Sequence, residues 1–270
     1  MQCVFGMTRN SLLDAWIEDP DYFSAMAVLS SGPLHPGGMI PNGVLAQRLD
    51  WNDRTVLDVG AGTGVSHRFF EALGAKVISA EPNEWMRRAA VRGGVDPRNV
   101  VNLAAADITP TWLSKNVSAA RLLVQGVTGF LPQGLGSLAP IMQHDTIEEV
   151  VFVEWVGSDV SSGGAPVQHS YHCSEIVAAV EEAGFKSIWL ETLNYRSPSN
   201  SMEALDAERC VEWHFPESAE VAWKHALPRK LEGVCIRGDV EKDYVILVGK
   251  KRSAPSNSAD CRKRLRAVLA

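Results

Sequence analysis

None of the five cysteines (Cys3, Cys173, Cys210, Cys235 and Cys261) falls in a CxxC pair. That spacing indicates neither a zinc site nor a disulfide framework, and scattered reduced thiols fit a cytoplasmic protein. No stretch approaches the ~20 apolar residues of a membrane helix, so no membrane span is expected. The opening MQCVFGMTRNSLLDAW has no basic segment followed by an apolar run and does not read as a secretory leader. Positive charge is in short supply, with 26 Lys and Arg against 32 Asp and Glu and a net charge of −6. A nucleic-acid surface spread over the whole protein is therefore not expected. One basic run stands out near the end, where Lys250, Lys251, Arg252, Arg262, Lys263, Arg264 and Arg266 face only Asp260, and it reads as a solvated tail over 253–270. No internal repeat is visible.

What the chain does contain is an alternation of strand and helix signals. SLLDAWIE (Ser11–Glu18) and DYFSAMAVLS (Asp21–Ser30) carry apolar residues at helical spacing. SGPLHPGGMIPNG (Ser31–Gly43), with three prolines and four glycines, predicts a loop, and VLAQRLDW a short helix after it. Residues 1–50 thus read as a helical cap, and 51–252 as the main domain. From Thr55, TVLDVG, AKVISAEP, NVVNLAAADI, ARLLVQGV, EEVVFVEWVG, FKSIWLETLNY and KDYVILVGKK predict strands. GVSHRFFEALG, EWMRRAAVRGG, a weak LGSLAPIMQH and a strongly amphipathic SEIVAAVEEAG, opened by Ser174, predict the helices between them. Alternation of this kind implies βαβ crossovers and a mostly parallel α/β sheet covered on both faces. The segment of about 196–240 before the last strand is too long for a bare loop and reads as an insertion with helices of its own.

The turn after the first strand, LDVGAGTGVSHRFF (Leu57–Phe70), carries the strongest signal. It lacks the lysine of a triphosphate-binding loop, GxxxxGK[ST]. It also lacks the third glycine of the dinucleotide motif GxGxxG, since Val65 stands there after Gly60 and Gly62. The pattern present is DxGxGxG, formed by Asp58, Gly60, Gly62 and Gly64. VLDVGAGTG followed by VISAEPN resembles motif I and the second strand of the class I S-adenosylmethionine-dependent methyltransferases. The likeness runs from about Arg54 to Lys251 and is similar to the ubiquinone- and menaquinone-type enzymes of the small-molecule branch.

That resemblance implies a Rossmann-like, seven-stranded, mostly parallel sheet with helices on both faces. It also implies S-adenosylmethionine as cofactor, with S-adenosylhomocysteine as product. The cofactor site would comprise Asp58, Gly60, Ala61, Gly62 and Gly64, with Asp58 helping to hold the amino-acid ammonium. Glu81, seventeen residues after Gly64, would accept the ribose hydroxyls, with Pro82 beside it. Asp107 at the end of the third predicted strand, with Ile108, would hold the adenine, while Asn83 and Trp85 are candidates for the rim.

The acceptor leaves a fainter trace. After the fourth predicted strand comes QGVTGFLP in place of a [DN]PP[YF] tetrad, and no proline precedes a cysteine, so a nucleic-acid base is not the expected substrate. A small-molecule methyl acceptor remains, with no metal site that can be assembled from the sequence. Because methyl transfer depends mainly on positioning, it needs at most a weak base. Candidates are His35 in the HPGG loop and His169 and His172 in VQHSYHCSE, with Tyr22 and Tyr171 lining the acceptor pocket. Trp155, Trp189, Trp213, Trp223 and Phe215 gather in the second half, where the insertion could act as a lid or a homodimer contact. Two other functions stay open: a non-catalytic S-adenosylmethionine-binding regulator or scaffold, and an NAD(P)-dependent oxidoreductase.

Overall fold

The structure, a computed structural model, describes residues 39–157, 171–196 and 241–252. Seven strands form one sheet: β1 (Thr55–Val59), β2 (Lys76–Ala80), β3 (Val100–Val101), β4 (Ala120–Gln125), β5 (Ile147–Val156), β6 (Phe185–Arg196) and β7 (Glu241–Lys251). Their order is β3-β2-β1-β4-β5-β7-β6. The first five pair in parallel, and β7 runs antiparallel to both of its neighbours. The helices among the described residues are α1 (Ile40–Arg48), α2 (Val65–Ala72), α3 (Glu84–Arg92), α4 (Pro110–Asn116), α5 (Ala139–Gln143) and α6 (Cys173–Glu182).

Strand alternation sends successive side chains to opposite faces. Leu57, Val59, Leu122, Val124, Phe152 and Leu247 face one side, where Leu113 of α4, Ile141 of α5 and Ile176 and Val180 of α6 pack on them. Val56, Val77, Leu123, Val151 and Ile246 face the other, under Leu45 of α1 and Phe70 of α2. Every residue of β4 is buried, as a strand covered on both faces requires. At roughly 1.5–3 kcal/mol for each large aliphatic side chain buried, these two layers supply the main drive for folding. Trp51 seals the second layer, its ring stacked on Phe70 at 3.8 Å and its indole N–H donating to the Leu45 carbonyl at 3.0 Å. Beneath it, the buried Arg121 donates to Glu149 at 2.6 Å and lies 4.3 Å from the Trp51 ring.

Four expectations are corrected. The predicted loop over Ser31–Gly43 gives way at Ile40 to α1, which ends at Arg48. Pro41 is tolerated because the first turn leaves its N–H groups without helical partners in any case. The predicted third strand NVVNLAAADI is a strand only at Val100–Val101, and Ala105–Asp107 forms a 3₁₀ turn. The alanine run there has few of the branched side chains that favour extended pairing. The helix α4 was not anticipated; Thr109 caps it by accepting from the Trp112 N–H, and Pro110 opens it. Lastly, α6 begins at Cys173 with His172 at its N-cap rather than Ser174, and the His172 N–H donates to Glu175 at 2.7 Å.

Candidate functional site

At the C-terminal ends of β1, β2 and β4 the chain encloses a cavity of about 490 Å³, within the range of small-molecule and cofactor sites. Its floor is the turn between β1 and α2. Gly60, Gly62 and Gly64 all have φ between +56° and +73°, a left-handed conformation that side chains resist. Gly60 is further confined, since a Cβ there would lie 2.4 Å from Val127 Cγ2. Gly64, the N-cap of α2, faces Ala90 of α3 with room for no methyl. By contrast, a Cβ at Gly62 would meet nothing within 4 Å. Val65, at the position of the third dinucleotide glycine, lines the cavity.

Glu81 follows β2 and is 6 % exposed. One carboxylate oxygen accepts the Gly62 N–H at 2.9 Å and the other the Asn83 N–H at 2.8 Å. Burial pushes its carboxyl above the ordinary range, opposed by those two amides and by the Arg87 charge. Arg87, itself buried, donates to the Glu81 and Pro82 carbonyls and to Asn102, and so fixes the chain that carries the glutamate. Each carboxylate oxygen retains a lone pair for a ligand hydroxyl. Asn83 accepts from the Met86 N–H at 3.1 Å, so the rim of the cavity is also the cap of α3.

Asp58, on β1, is 2 % exposed, and its Oδ2 has no hydrogen-bond partner among the described residues. Burial, reinforced by the nearby Glu81 charge, pushes its pKa up to about 7. A buried carboxylate oxygen without a donor is costly, and it suits a cationic or donor-bearing ligand. Much of the remaining wall is apolar. Pro82, Met86, Leu103, Ala104 and Ala105 form one side, and Val127, Phe130, Leu131 and Pro132 another.

Asp58, Gly60, Ala61, Gly62, Glu81 and Pro82 therefore come together around one cavity, and Gly64 supports them from the helix start. Asp107 and Ile108 do not join them: Asp107 is exposed, and Ile108 is buried in the core beside Leu113. The short β3 and the 3₁₀ turn after it bring Leu103–Ala105 to the cavity instead. Trp85 is half-buried and is not among the lining residues. Tyr171 packs against the core, and its hydroxyl accepts the Leu135 N–H at 3.0 Å, while His172 is exposed at the start of α6. Neither lines the cavity. Tyr22, His35, His169, Trp213, Phe215 and Trp223 lie outside the described residues, as do the insertion and the tail.

Three polar groups escaped the sequence reading. Gln125, at the end of β4, lines the cavity and bonds Asn42 of α1, which in turn bonds Ser66 of α2. Glu154, 2 % exposed on β5, accepts the N–H groups of Val127 and Thr128 at 3.1 and 3.2 Å and so holds the turn that forms one cavity wall. Its pKa is pushed up to about 7 by burial, against the opposing effect of those amides. His67 is fully buried on α2, its Nδ1 2.8 Å from the Ser79 hydroxyl. Burial and the Arg68 charge lower its pKa to about 4, so it stays neutral and ties α2 to β2. Only glutamine after the fourth predicted strand offered a signal, in the QGVTGF that replaces a motif; the others are partnered across long sequence separations. Among the described residues no three His, Cys, Asp or Glu side chains cluster to hold a metal, and no helix is long and apolar enough to cross a membrane.

The fold is shared with solved structures. YcgJ from Bacillus subtilis is similar at a TM-score of 0.53 and 14 % identity, over 79 % of this chain and 99 % of that one. Phosphoethanolamine N-methyltransferase 2 of Haemonchus contortus, solved with phosphomonomethylethanolamine and S-adenosylhomocysteine, is similar at 0.53 and 15 % identity. That match covers 86 % of this chain and 57 % of that one. No family model matches the sequence, and no curated protein does. The fold is the Rossmann-like fold of the class I S-adenosylmethionine-dependent methyltransferases.

Proposed function

We propose that the protein is a methyltransferase that uses S-adenosylmethionine to methylate a small molecule. The observation that carries this reading is Glu81: a buried carboxylate at the tip of β2, locked by the Gly62 and Asn83 amides beside an apolar slot, with lone pairs left to bind two vicinal hydroxyls. Asp58, on the neighbouring strand β1, supplies a second acceptor among the residues lining the cavity. The same residues fit an adenosyl ligand better than a dinucleotide, because Val65 fills the place where a pyrophosphate motif needs glycine.

When bound, the cofactor would supply a methyl group already activated by a sulfonium. The chain's own work is then to bind and orient. Glu81 would take the ribose hydroxyls; Pro82, Met86, Leu103, Ala104 and Ala105 would enclose the base in place of Asp107 and Ile108; and Asp58 would face the ammonium. The apolar walls would help to keep water from the bound cofactor, so approach of the acceptor along the line of displacement would be the main source of rate. His35, His169 and Tyr22 stay in this proposal as acceptor-side residues, whereas His172 and Tyr171 would serve the frame. A cytoplasmic setting, a cap over residues 1–50 and a homodimer belong to the same proposal.

Thermal unfolding with S-adenosylmethionine, S-adenosylhomocysteine or NAD tests it. Ligand at 100 times its dissociation constant adds about 2.7 kcal/mol, or roughly 5–10 °C for a chain of this size. The expected result is a shift with the two adenosyl compounds alone, abolished in Glu81→Ala. A shift with NAD alone would overturn the reading.

A further inference from the structure

We propose that Gln125 is a ligand-binding residue, and that Asn42 positions it so that its side-chain carbonyl accepts a hydrogen bond from the ammonium at the amino-acid end of the cofactor. This rests on the cofactor reading above and adds to it a positioning residue from outside the glycine turn.

Gln125 is the last residue of β4, is 7 % exposed and lines the cavity. Its Nε2 donates to Asn42 Oδ1 at 2.9 Å, and its Oε1 is buried with no hydrogen-bond partner among the described residues. Asn42, on α1, is fully buried and donates from Nδ2 to the Ser66 hydroxyl at 3.0 Å. A relay of two amides and a hydroxyl can in principle run in either direction, presenting either C=O or NH₂ to the cavity. Met39 decides between them. Its sulfur lies 3.8 Å from Asn42 Nδ2, so one amide nitrogen uses both of its hydrogens, on Ser66 and on sulfur. Reversed, the Asn42 oxygen would face a sulfur that has no hydrogen to give. The relay therefore runs from Gln125 to Asn42 to Ser66, and the Gln125 carbonyl is the group left for a ligand.

The register brings a second acceptor alongside. Asp58 pairs with Leu123 across β1 and β4, so Gln125, two residues further on, projects from the same face toward the C-terminal edge. Two buried oxygens, Asp58 Oδ2 and Gln125 Oε1, thus lack donors on residues that line one cavity. Strand order separates Gln125 from Glu81, because β2 and β4 flank β1 on opposite sides, with Asp58 on β1 between them. A ligand whose hydroxyls sit on Glu81 and whose body crosses the glycine turn ends at the Asp58 and Gln125 side. A primary ammonium, with three N–H donors and a positive charge, is the group that satisfies both oxygens.

The experiment compares two ligands that differ at that end alone: S-adenosylhomocysteine and 5′-methylthioadenosine, which carries a methyl in place of the amino-acid chain. Dissociation constants are measured for wild type, Gln125→Met, Asn42→Ala and the double variant, with Asn42→Ser as a smaller perturbation if Asn42→Ala fails to fold. Gln125→Met should weaken S-adenosylhomocysteine tenfold or more and leave methylthioadenosine within about twofold. The Asn42 change should lower the same ratio in the wild-type background and have no further effect once Gln125 is methionine, which a general packing defect would not reproduce. Equal losses for both ligands, or additive losses in the double variant, would overturn this inference while leaving the cofactor reading intact. A wild type that binds neither ligand would overturn both.

Discussion

Asp58→Asn should stabilise the unliganded protein, and by more at alkaline than at acidic pH. The folded chain holds this carboxyl near 7 against a reference of 3.8, through burial and the Glu81 charge. Folding therefore disfavours its ionised form. The penalty is absent below the unfolded value, grows as pH rises through the interval, and saturates above about 7. At 1.36 kcal/mol per pH unit the full penalty is about 4 kcal/mol, of which roughly 1.5 is already present near pH 5. Asparagine cannot ionise, so the gap in stability between variant and wild type should widen by roughly 2.5 kcal/mol from pH 5 to pH 8, or roughly 5–10 °C in Tm. Urea or thermal unfolding of both proteins across that range, without ligand, gives the number. A gap that stays constant with pH would refute the reasoning. The same variant should bind S-adenosylhomocysteine more weakly, because its ammonium loses a carboxylate. In the wild type that binding should release a proton near neutrality, so affinity should rise as pH passes 7.

Three further outcomes follow from the geometry. Gly62→Ala, at a φ of +56° with open space around it, should cost about 1 kcal/mol of stability, whereas Gly60→Ala adds a clash with Val127 and should cost a further 1–3 kcal/mol; chemical denaturation that finds the two equal would contradict the placement of Val127. Glu154→Gln removes a carboxyl that burial raises from 4.5 to about 7, so wild-type stability lost with rising pH over that interval, up to about 3 kcal/mol, should be recovered in the variant. Denaturation midpoints at pH 5 and pH 8 check it, and parallel changes in the two proteins would count against it. Arg121→Ala leaves Glu149 without its buried partner at the far end of the sheet and should destabilise by about 3 kcal/mol with no change in S-adenosylhomocysteine affinity, a separation that calorimetry reads directly.

The core strands were legible because burial on two faces writes itself as continuous apolar runs: ARLLVQ and EEVVFVEWV announce β4 and β5 without reference to anything distant. The glycine turn and Glu81 were legible for a different reason, since left-handed backbone and a carboxylate at a strand end leave local signatures. Asp107 stands where an acid is expected after a third strand, but that strand stops at Val101 and the residue is not among those lining the cavity. Helix α4 needed attention to Thr109 and Pro110 as a start signal, in a segment with few apolar residues. Asn42 and Glu154 had no local pattern at all, and Gln125 had only the QGVTGF that replaces a motif. Asn42 and Gln125 lie 83 residues apart, and Glu154 lies 26 residues from Thr128. Their partnerships exist only once α1 lies on the sheet and β5 lies beside β4.

The position of β7 has a consequence for how the chain is made. It lies between β5 and β6, although it is the last of the seven strands to be synthesised. Until residue 251 has left the ribosome, the edge of β5 that β7 covers has its backbone N–H and C=O groups bare, and among the described strands β6 has none to pair with. A nascent chain that holds a half-finished sheet open for a hundred residues is a substrate for chaperones and a template for misassociation. Truncation ahead of Glu241 should accordingly yield an aggregating chain rather than a smaller folded protein, even though it spares every residue that lines the cavity.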